Sequence, residues 1–486
     1  MISDNEVVKL ILGFKIKHLR SSKGISYQVL SEETGLSVSY LNDIEKGKKY
    51  PKPDKIRALA TAFEMDYDDL VSTKADKKLL PVLELLNSGF FKYFPTEQFG
   101  FSLEKVIDVF SSAPDRISAF ISTILKMVRS YQIEKEHFYR VALRSYQDMH
   151  DNYFEELESL AQDFQRLHRI DKIPKIEALQ QLLEQHFGIG IDDSTLAKSA
   201  DLKAVRSYYS KESKKLYFNE SLSVDQKRFL LAKELGYQFM NLQERSFETN
   251  LNKEASFEKL LNNFKASYFA AALLLPSDAF VEDLNSMALK TSWSSKLMES
   301  LLEKYQVTPE TLLQRMTNVL PKFFGVENLF FIRLDAKGSM VNYQITKELH
   351  LSGLHNPYQN QLQEHLCQRW VSISSIKNLH GSKRSYFIDA QVSEYWQSAN
   401  AYFCISISQP SRFDNQDGSS VTIGLAMNEN LRGAFNFIKD PSLKVKTVHT
   451  TCERCSISDC EHRVAPPDFV ERKNQQLILE TELKRL

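Results

Sequence analysis

Three of the chain's five cysteines fall within nine positions of one another, in Cys452-Glu-Arg-Cys455-Ser-Ile-Ser-Asp-Cys460. Thiolates are strong ligands for soft and borderline metals, and the Cys-x-x-Cys spacing lets two of them point at one centre. A fourth ligand must come from elsewhere. His462 is close by, Cys367 lies in Leu366-Cys-Gln-Arg-Trp370, and Cys404 lies in Tyr402-Phe-Cys-Ile. Cys404 reads as a buried apolar residue of a strand, a role that suits a free thiol.

A second constellation is Leu230-Leu-Ala-Lys233-Glu234-Leu-Gly-Tyr237-Gln-Phe, which sits where a His-Glu-x-x-His helix would be. In that motif two histidines at i and i+4 bind zinc from one helical face, and the glutamate is the base. Here the ligand positions hold Lys233 and Tyr237. Lys is cationic at neutral pH and Tyr titrates near ~10, so neither is a credible zinc ligand. Downstream, Asn262-Asn-Phe-Lys-Ala-Ser-Tyr-Phe-Ala-Ala-Ala-Leu-Leu-Leu-Pro276 resembles the second signature of the same metallopeptidase-like domain. Its region for a third, acidic ligand offers only Asn262, Asn263, Phe264 and Lys265. The reading is a degenerate zincin-like α+β domain that is not an enzyme. Glu234, without a metal-bound water to activate, becomes a structural or surface helix residue.

A third constellation is Ser26-Tyr-Gln-Val-Leu-Ser-Glu-Glu-Thr-Gly35-Leu-Ser37-Val-Ser-Tyr40-Leu-Asn42-Asp-Ile-Glu45-Lys-Gly47. It fits two short helices around a tight turn, with Ser26 capping the first, Gly35 supplying the turn and Ser37 capping the second. Val29, Leu30, Leu36, Leu41 and Ile44 give the helices an inward face. Val38, Ser39, Asn42, Asp43 and Lys46 are left to face outward, as a helix entering a DNA major groove requires. Ser26, Gln28, Ser37, Tyr40, Lys48 and Lys52 complete the expected DNA-contacting set, the lysines and backbone amides holding phosphates. The stretch closely resembles the XRE-type helix-turn-helix over about residues 9–71, including the trailing Ile44-Glu45-Lys-Gly47 and Tyr50-Pro51-Lys-Pro53.

The elements that must position these groups follow from periodicity and punctuation. Residues 115–173 contain neither Gly nor Pro. Ile117, Phe120, Ile121, Ile124, Leu125 and Val128 form one helical stripe. Phe138, Ala142, Tyr146, Met149, Tyr153, Leu157, Leu160, Phe164 and Leu167 form another, and long helices of this kind suit a core or a dimer contact. Two short strands are expected within 205–219. Ser223 and Gln226 form a capping-box pattern opening a helix to about Met240, a further helix covers 256–275, and Thr308-Pro309 opens another. Strands follow at 329–335, 340–345, 386–392, 402–408 and 421–427, with a helix at 359–371 between them. An antiparallel sheet with helices on one face is expected. The fold class is multidomain α+β: an all-α helix-turn-helix domain (1–74), a long-helix linker and dimerisation region (75–175), the degenerate zincin-like domain (176–325) and a C-terminal α+β sensor domain (326–486).

Composition bounds the function classes. Lys plus Arg and Asp plus Glu each number 62, so the chain is formally neutral. The sum conceals a basic module: residues 9–57 carry eleven Lys or Arg against five Asp or Glu, a local charge of +6. Such a face suits double-stranded DNA, and binding through it should depend steeply on salt. No apolar run approaches the ~20 residues of a membrane helix and no secretory signal is visible, so a cytoplasmic protein without membrane attachment is expected.

Taken along its length, the chain resembles the short-chain fatty acyl-CoA regulator family: an XRE-type DNA-binding domain, a degenerate metallopeptidase-like middle and a C-terminal acyl-CoA sensor. The likeness extends over residues 303–315 and 329–338 and through the terminal cysteine motif. It is partial at Cys367-Gln-Arg-Trp370, where the family pattern is Cys-Pro-Leu-Trp. The resemblance implies that Cys367, Cys452, Cys455 and Cys460 form one four-thiolate site holding a [4Fe-4S] cluster. Four thiolates suit structural zinc as well. The resemblance further implies a homodimer or higher oligomer on a palindromic operator, with a short-chain acyl-CoA as effector controlling fatty-acid or acyl-CoA metabolism. A redox or iron–sulfur sensor is the alternative, and a regulator with residual peptidase activity a weaker one. The residues contacting the acyl-CoA are not legible, because no phosphate-cradling Gly-rich loop occurs.

Overall fold

Ser26 and Ser37 each cap a short helix, and the segment between them folds as their spacing demands. In the computed structural model, which describes residues 4–72, 100, 135–202, 205–245, 256–336, 342–350, 364–380, 382, 384–410 and 418–485, the chain divides into two compact units. One comprises 1–146 with 253–260, the other 147–252 with 261–486. The first stripe, at 117–128, lies outside the described residues.

The N-terminal unit opens with α1 (Asp4–Ser22), α2 (Tyr27–Thr34), α3 (Val38–Glu45), α4 (Pro53–Ala62) and α5 (Tyr67–Val71). The Ser26 side chain accepts from the Val29 amide and the Ser37 side chain from the Tyr40 amide, each satisfying an otherwise unpaired helix-start donor. Gly35 ends α2 at φ 67°, a left-handed conformation that costs a residue with a Cβ. Leu12, Ile16, Leu30, Leu41, Ile44, Ile56, Leu59 and Phe63 make the core. Gly13 is where α1 presses on the end of α3: a Cβ there would come within 2.3 Å of the Ile44 carbonyl oxygen. Val29, expected inward, is exposed instead. It lies one residue, or ~100° of helix, from Leu30, the one buried position of this eight-residue helix.

The long stripe at 138–167 is not one helix. It is α6 (Lys135–Asp148) and α7 (Glu155–His168), broken where Asp151 and Asn152 take left-handed backbone at φ 49° and 53°. Buried Asn152 holds the break, donating to Thr317 Oγ1 at 2.9 Å while its carbonyl accepts from Asn318. Met149 and Leu167 of the stripe consequently lie exposed.

The middle of the chain contains α8 (Ile176–Phe187), β1 (Gly190–Asp192), β2 (Ser207–Ser210), β3 (Lys215–Phe218), α9 (Val224–Phe239), α10 (Phe257–Leu274), α11 (Ser277–Ala288), α12 (Ser295–Tyr305) and α13 (Pro309–Phe324). The expected hairpin is β2–β3, and β1, too short to show a period, joins β3 in parallel. The capping box of α9 is complete: Ser223 Oγ accepts from the Gln226 amide and Gln226 Oε1 from the Ser223 amide. Glu158 of α7 and Arg315 of α13 form a buried two-point ion pair, and Tyr268 donates to the same carboxylate at 2.7 Å.

The C-terminal part is a six-stranded sheet, order β5-β4-β8-β7-β6-β9. Its strands are β4 (Leu329–Ala336), β5 (Tyr343–His350), β6 (Phe387–Tyr395), β7 (Ala401–Gln409), β8 (Ser419–Ala426) and β9 (Val445–Val448). All pairings are antiparallel except β6–β9, so the sheet is mixed at one edge. The helix expected at 359–371 is displaced: 364–370 is irregular and α14 (Val371–His380) follows, while 359–363 lies outside the described residues. The sheet is covered on both faces, not one, and every residue of β8 is buried. Against one face lies α14, held by a hydroxyl seam in which Ser375 and Ser406 bond at 2.9 Å and Thr422 donates to Ser406 at 2.9 Å. Against the other, Trp293 stacks edge-on to Phe403 and close to Phe437. The chain ends in α15 (Glu429–Ala434) and α16 (Asp468–Leu483).

Candidate nucleic-acid interface and metal centre

In the helix-turn-helix, Ser26, Gln28, Ser37, Val38, Ser39, Lys48 and Lys52 are exposed, and Tyr40, Asn42, Asp43 and Lys46 are half-buried. The two cap serines accept through a lone pair, and a hydroxyl so used still has its proton to donate. Asp43 pairs with Lys49 at 2.8 Å, and this hydrogen bond holds its carboxyl below the usual range. Lys55 lies 4.3 Å from the Tyr40 ring centre, a cation–π contact that keeps positive charge beside α3. Val29 joins Gln28 on the outward side of α2. What sequence reading missed is the strut behind α3. Glu45 is buried and accepts from Arg20 Nε at 2.6 Å, from Arg20 Nη2 at 3.0 Å and from the Tyr27 hydroxyl. The Arg20 guanidinium lies 4.0 Å from the Tyr27 ring centre. This network ties α1, α2 and α3 together and fixes the angle at which α3 is presented.

At the position of the metallopeptidase motif the side chains bond to one another. Lys233 Nζ donates to Asn263 Oδ1 at 2.6 Å, and the Tyr237 hydroxyl reaches the same oxygen at 3.3 Å. An ammonium thus occupies one end of the i, i+4 pair and an amide faces it. Glu234 is buried in a two-point ion pair with Arg245 and also accepts from Gln238 at 2.7 Å. Arg245 is sandwiched, 3.9 Å from the Tyr237 ring centre and 4.4 Å from that of Tyr209. Both oxygens of the Glu234 carboxylate are thus occupied by side-chain donors.

The cysteine region is a zipper between two distant segments. Leu366 and Thr451 form an antiparallel bridge, the Cys452 amide donates to the His365 carbonyl, and the Cys367 amide donates to Thr450. Arg454 donates twice to Glu364 from Nε and once from Nη2, and Glu453 accepts from the His365 amide and lies 2.8 Å from its Nδ1. Trp370 Nε1 donates to the His449 carbonyl at 2.9 Å. Arg463 braces the loop, donating to the Cys452 and Cys455 carbonyls. Glu364, His365, Glu453, Arg454 and Arg463 were not singled out from sequence, and charge complementarity between the flanks of two cysteine motifs was the signal available.

Cys367, Cys452 and Cys455 are buried, Cys460 is half-buried, and none is in a disulfide. Burial pushes the Cys367 thiol up to about 11, backbone amides of His449 and Arg369 pull it down, and the thiols of Cys452 and Cys455 push it up again. Cys452 is raised by burial while the amides of Val464 and Ala465 oppose this. Three of the four sequence-predicted ligands are therefore electrostatic neighbours. Among the described residues, though, no three His, Cys, Asp or Glu side chains are arranged as they stand to hold a metal ion. The donor chemistry fits a thiolate centre: backbone N–H groups aimed at sulfur recur around metal-bound cysteines, and a cation would replace the thiol protons. His462, the alternative ligand, is exposed, and Cys404 is buried in β7 at the wall of a separate cavity.

That cavity lies between the sheet and α14. Phe330, Ile332, Trp370, Val371, Tyr395 and Cys404 form its apolar wall, and Ser372, Ser393 and Thr422 bring hydroxyls to it. It measures about 20 Å³. Tyr395 is close enough to Cys367 and Cys404 for either thiol to influence its hydroxyl, which burial keeps well above the usual range.

Comparison with known proteins bears on the helix-turn-helix and on the metallopeptidase-like domain. Residues 11–72 match the helix-turn-helix domain family, and residues 193–317 match the IrrE N-terminal-like domain family of M78 peptidases. The chain is 25% identical over 351 residues to the propionyl-CoA carboxylase regulator of Cereibacter sphaeroides, covering 68% of this chain and 70% of that protein. It is 24% identical over 376 residues to the HTH-type transcriptional regulator RamB of Mycobacterium tuberculosis, covering 71% and 72% respectively. A solved Mycobacterium tuberculosis transcriptional regulator aligns with a TM-score of 0.47 at 18% identity, over 66% of this chain and 92% of that one. A braced helix-turn-helix inside a basic module, together with an M78-type domain holding Lys233 and Tyr237 at the ligand positions, makes this chain a DNA-binding transcriptional regulator similar to those relatives.

Proposed function

We propose that this regulator senses a short-chain acyl-CoA through its C-terminal domain and that the ligand shifts its affinity for operator DNA. The observation that carries the reading is the cavity behind β4 and β7. Its wall is mainly apolar with the hydroxyls of Ser372, Ser393 and Thr422 at it, and Trp370 and Tyr395 join it to the cysteine segment. A relative whose name ties it to propionyl-CoA carboxylase supports a short acyl group as the signal. Ligand control requires unequal ligand affinity in the free and DNA-bound conformations. Movement of Trp370, bonded to His449 beside the cysteine loop, would carry the change.

Cys367, Cys452, Cys455 and Cys460 would hold a [4Fe-4S] cluster, or structural zinc, once the 452–460 loop draws its sulfurs together. When bound, such a centre pins the tail to the sheet domain. The middle domain acts as a scaffold and has no peptidase activity, because Lys233 and Tyr237 replace the ligands and Arg245 holds Glu234. Calorimetry with acetyl-, propionyl-, butyryl- and hexanoyl-CoA, paired with operator titrations, tests the proposal. Binding confined to the shorter chains, lost in Cys404→Phe without loss of basal operator affinity, is expected. A panel that neither binds nor alters operator affinity would sink it, and an oxidant that alone shifts affinity would favour the redox reading.

A further inference from the structure

Arg463 engages the carbonyl of every cysteine in the C-terminal motif. Its guanidinium donates from Nη1 to the Cys452 carbonyl at 2.9 Å and from Nη2 to the Cys455 carbonyl at 3.0 Å. Its backbone amide donates to the Cys460 carbonyl at 3.0 Å. The same fork reaches the carbonyls of Ile457, at 2.5 Å, and Ala465, at 3.4 Å. Five carbonyls of one loop thus converge on a single residue. The residue type matters: a guanidinium presents five N–H donors in a rigid plane, whereas lysine offers three from one atom.

The charge of this half-buried side chain meets carbonyls only. Its guanidinium hydrogen bonds all go to the backbone, whereas Arg454 of the same loop is paired with Glu364. A dication on four thiolates leaves about two negative charges on the centre, and an anion taken out of water needs positive charge close by. We infer that Arg463 is the positioning residue of the cysteine centre: it fixes the backbone of the three-cysteine loop before a metal arrives and balances the thiolate charge once one is bound. The inference rests on the reading of Cys367, Cys452, Cys455 and Cys460 as one metal centre. It holds for zinc and for a cluster alike, and it is independent of the acyl-CoA reading.

Two substitutions in the full-length protein separate the fork from the charge. Arg463→Lys keeps the charge and loses the fork, and Arg463→Met loses both at similar length. In the reduced, chelator-treated chain both should speed amide hydrogen exchange across 452–465, because each loosens the loop. Exchange in β6, β7 and β8 should stay as in the unmodified chain, showing that the sheet remains folded. Zinc is the metal probe, since four thiolates suit it as well as a cluster. Its affinity, measured by competition with a chelator, should fall about 10–100-fold in Arg463→Met and less in Arg463→Lys. Cys455→Ser, titrated alongside, gives the zinc taken up elsewhere on the chain. Unchanged exchange across the loop in both variants would overturn the proposal. Faster exchange with unchanged zinc affinity would overturn it too, leaving Arg463 a strut of the loop alone. An unmodified chain that holds no more zinc than Cys455→Ser would instead sink the four-thiolate reading, and this inference with it.

Discussion

Arg245 engages both carboxylate oxygens of Glu234, the residue that stands where a metallopeptidase keeps its base. The pair is buried and flanked by the rings of Tyr209 and Tyr237. With Lys233 in place of the first ligand, the site now holds positive charge supplied by side chains. Each change alone would impair metal-dependent hydrolysis. Together they commit the side chains of this face to one another: Lys233 and Tyr237 to Asn263, and Glu234 to Arg245.

Replacing Glu234 by Gln should therefore cost stability and not activity. Removing one member of a buried ion pair typically destabilises by about 3–5 kcal/mol. Urea denaturation should show a loss of that order, while operator affinity at low denaturant stays within about twofold, its DNA contacts being in the other unit.

The same reasoning applies to Glu45, whose partners are Arg20 and Tyr27. Glu45→Ala leaves a mostly buried guanidinium unpaired and should lower stability by about 3 kcal/mol, with operator binding falling as α3 loses its brace. Tyr27→Phe removes one hydrogen bond to a charged group and should cost about 1.5–3 kcal/mol. Thermal denaturation of the three proteins side by side checks the order.

Base readout and phosphate contact separate by salt. Asn42→Ala with Lys46→Ala should reduce discrimination between operator and random DNA, whereas Lys48→Ala or Lys52→Ala should weaken both alike. Each phosphate-contacting lysine removed should reduce the slope of log affinity against log salt by about 1. Titrations at several salt concentrations distinguish the two classes.

Glu310, at the start of α13, binds Arg333 of β4 and Lys347 of β5, each at 2.9 Å. Burial alone would raise its carboxyl, but Lys347 and Arg333 outweigh this and hold it at about 2. A depressed carboxylate contributes stability above its unfolded value of about 4.3 and loses it as pH falls through its folded value. Unfolding free energy should thus decline from about pH 4.5 toward pH 2. Glu310→Gln should be less stable at neutral pH by about 2 kcal/mol and should flatten that decline. Denaturant midpoints across the acid range give the comparison.

Local signals were legible wherever the controlling partner lies within a few residues. Ser26, Gly35 and Ser37 state the helix-turn-helix, Ser223 with Gln226 and Thr308 with Pro309 state two helix starts, and the +6 module states the DNA face inside a neutral chain. The sequence by itself also determined that the metallopeptidase ligands are gone, because residue type alone disqualifies Lys233 and Tyr237. Tertiary structure decided the rest. The break at Asp151–Asn152 depends on Thr317 and Asn318, the start of α14 follows a segment zippered to the cysteine loop, and Arg245 reaches Glu234 from beyond the helix. The segments of Cys367 and Cys452 are joined by the Leu366–Thr451 bridge and by the pair of Glu364 with Arg454. Periodicity records what a residue's near neighbours require. Pairing between remote segments is set by which buried charges and hydrogen-bonding groups meet, and that is known only once the chain has folded.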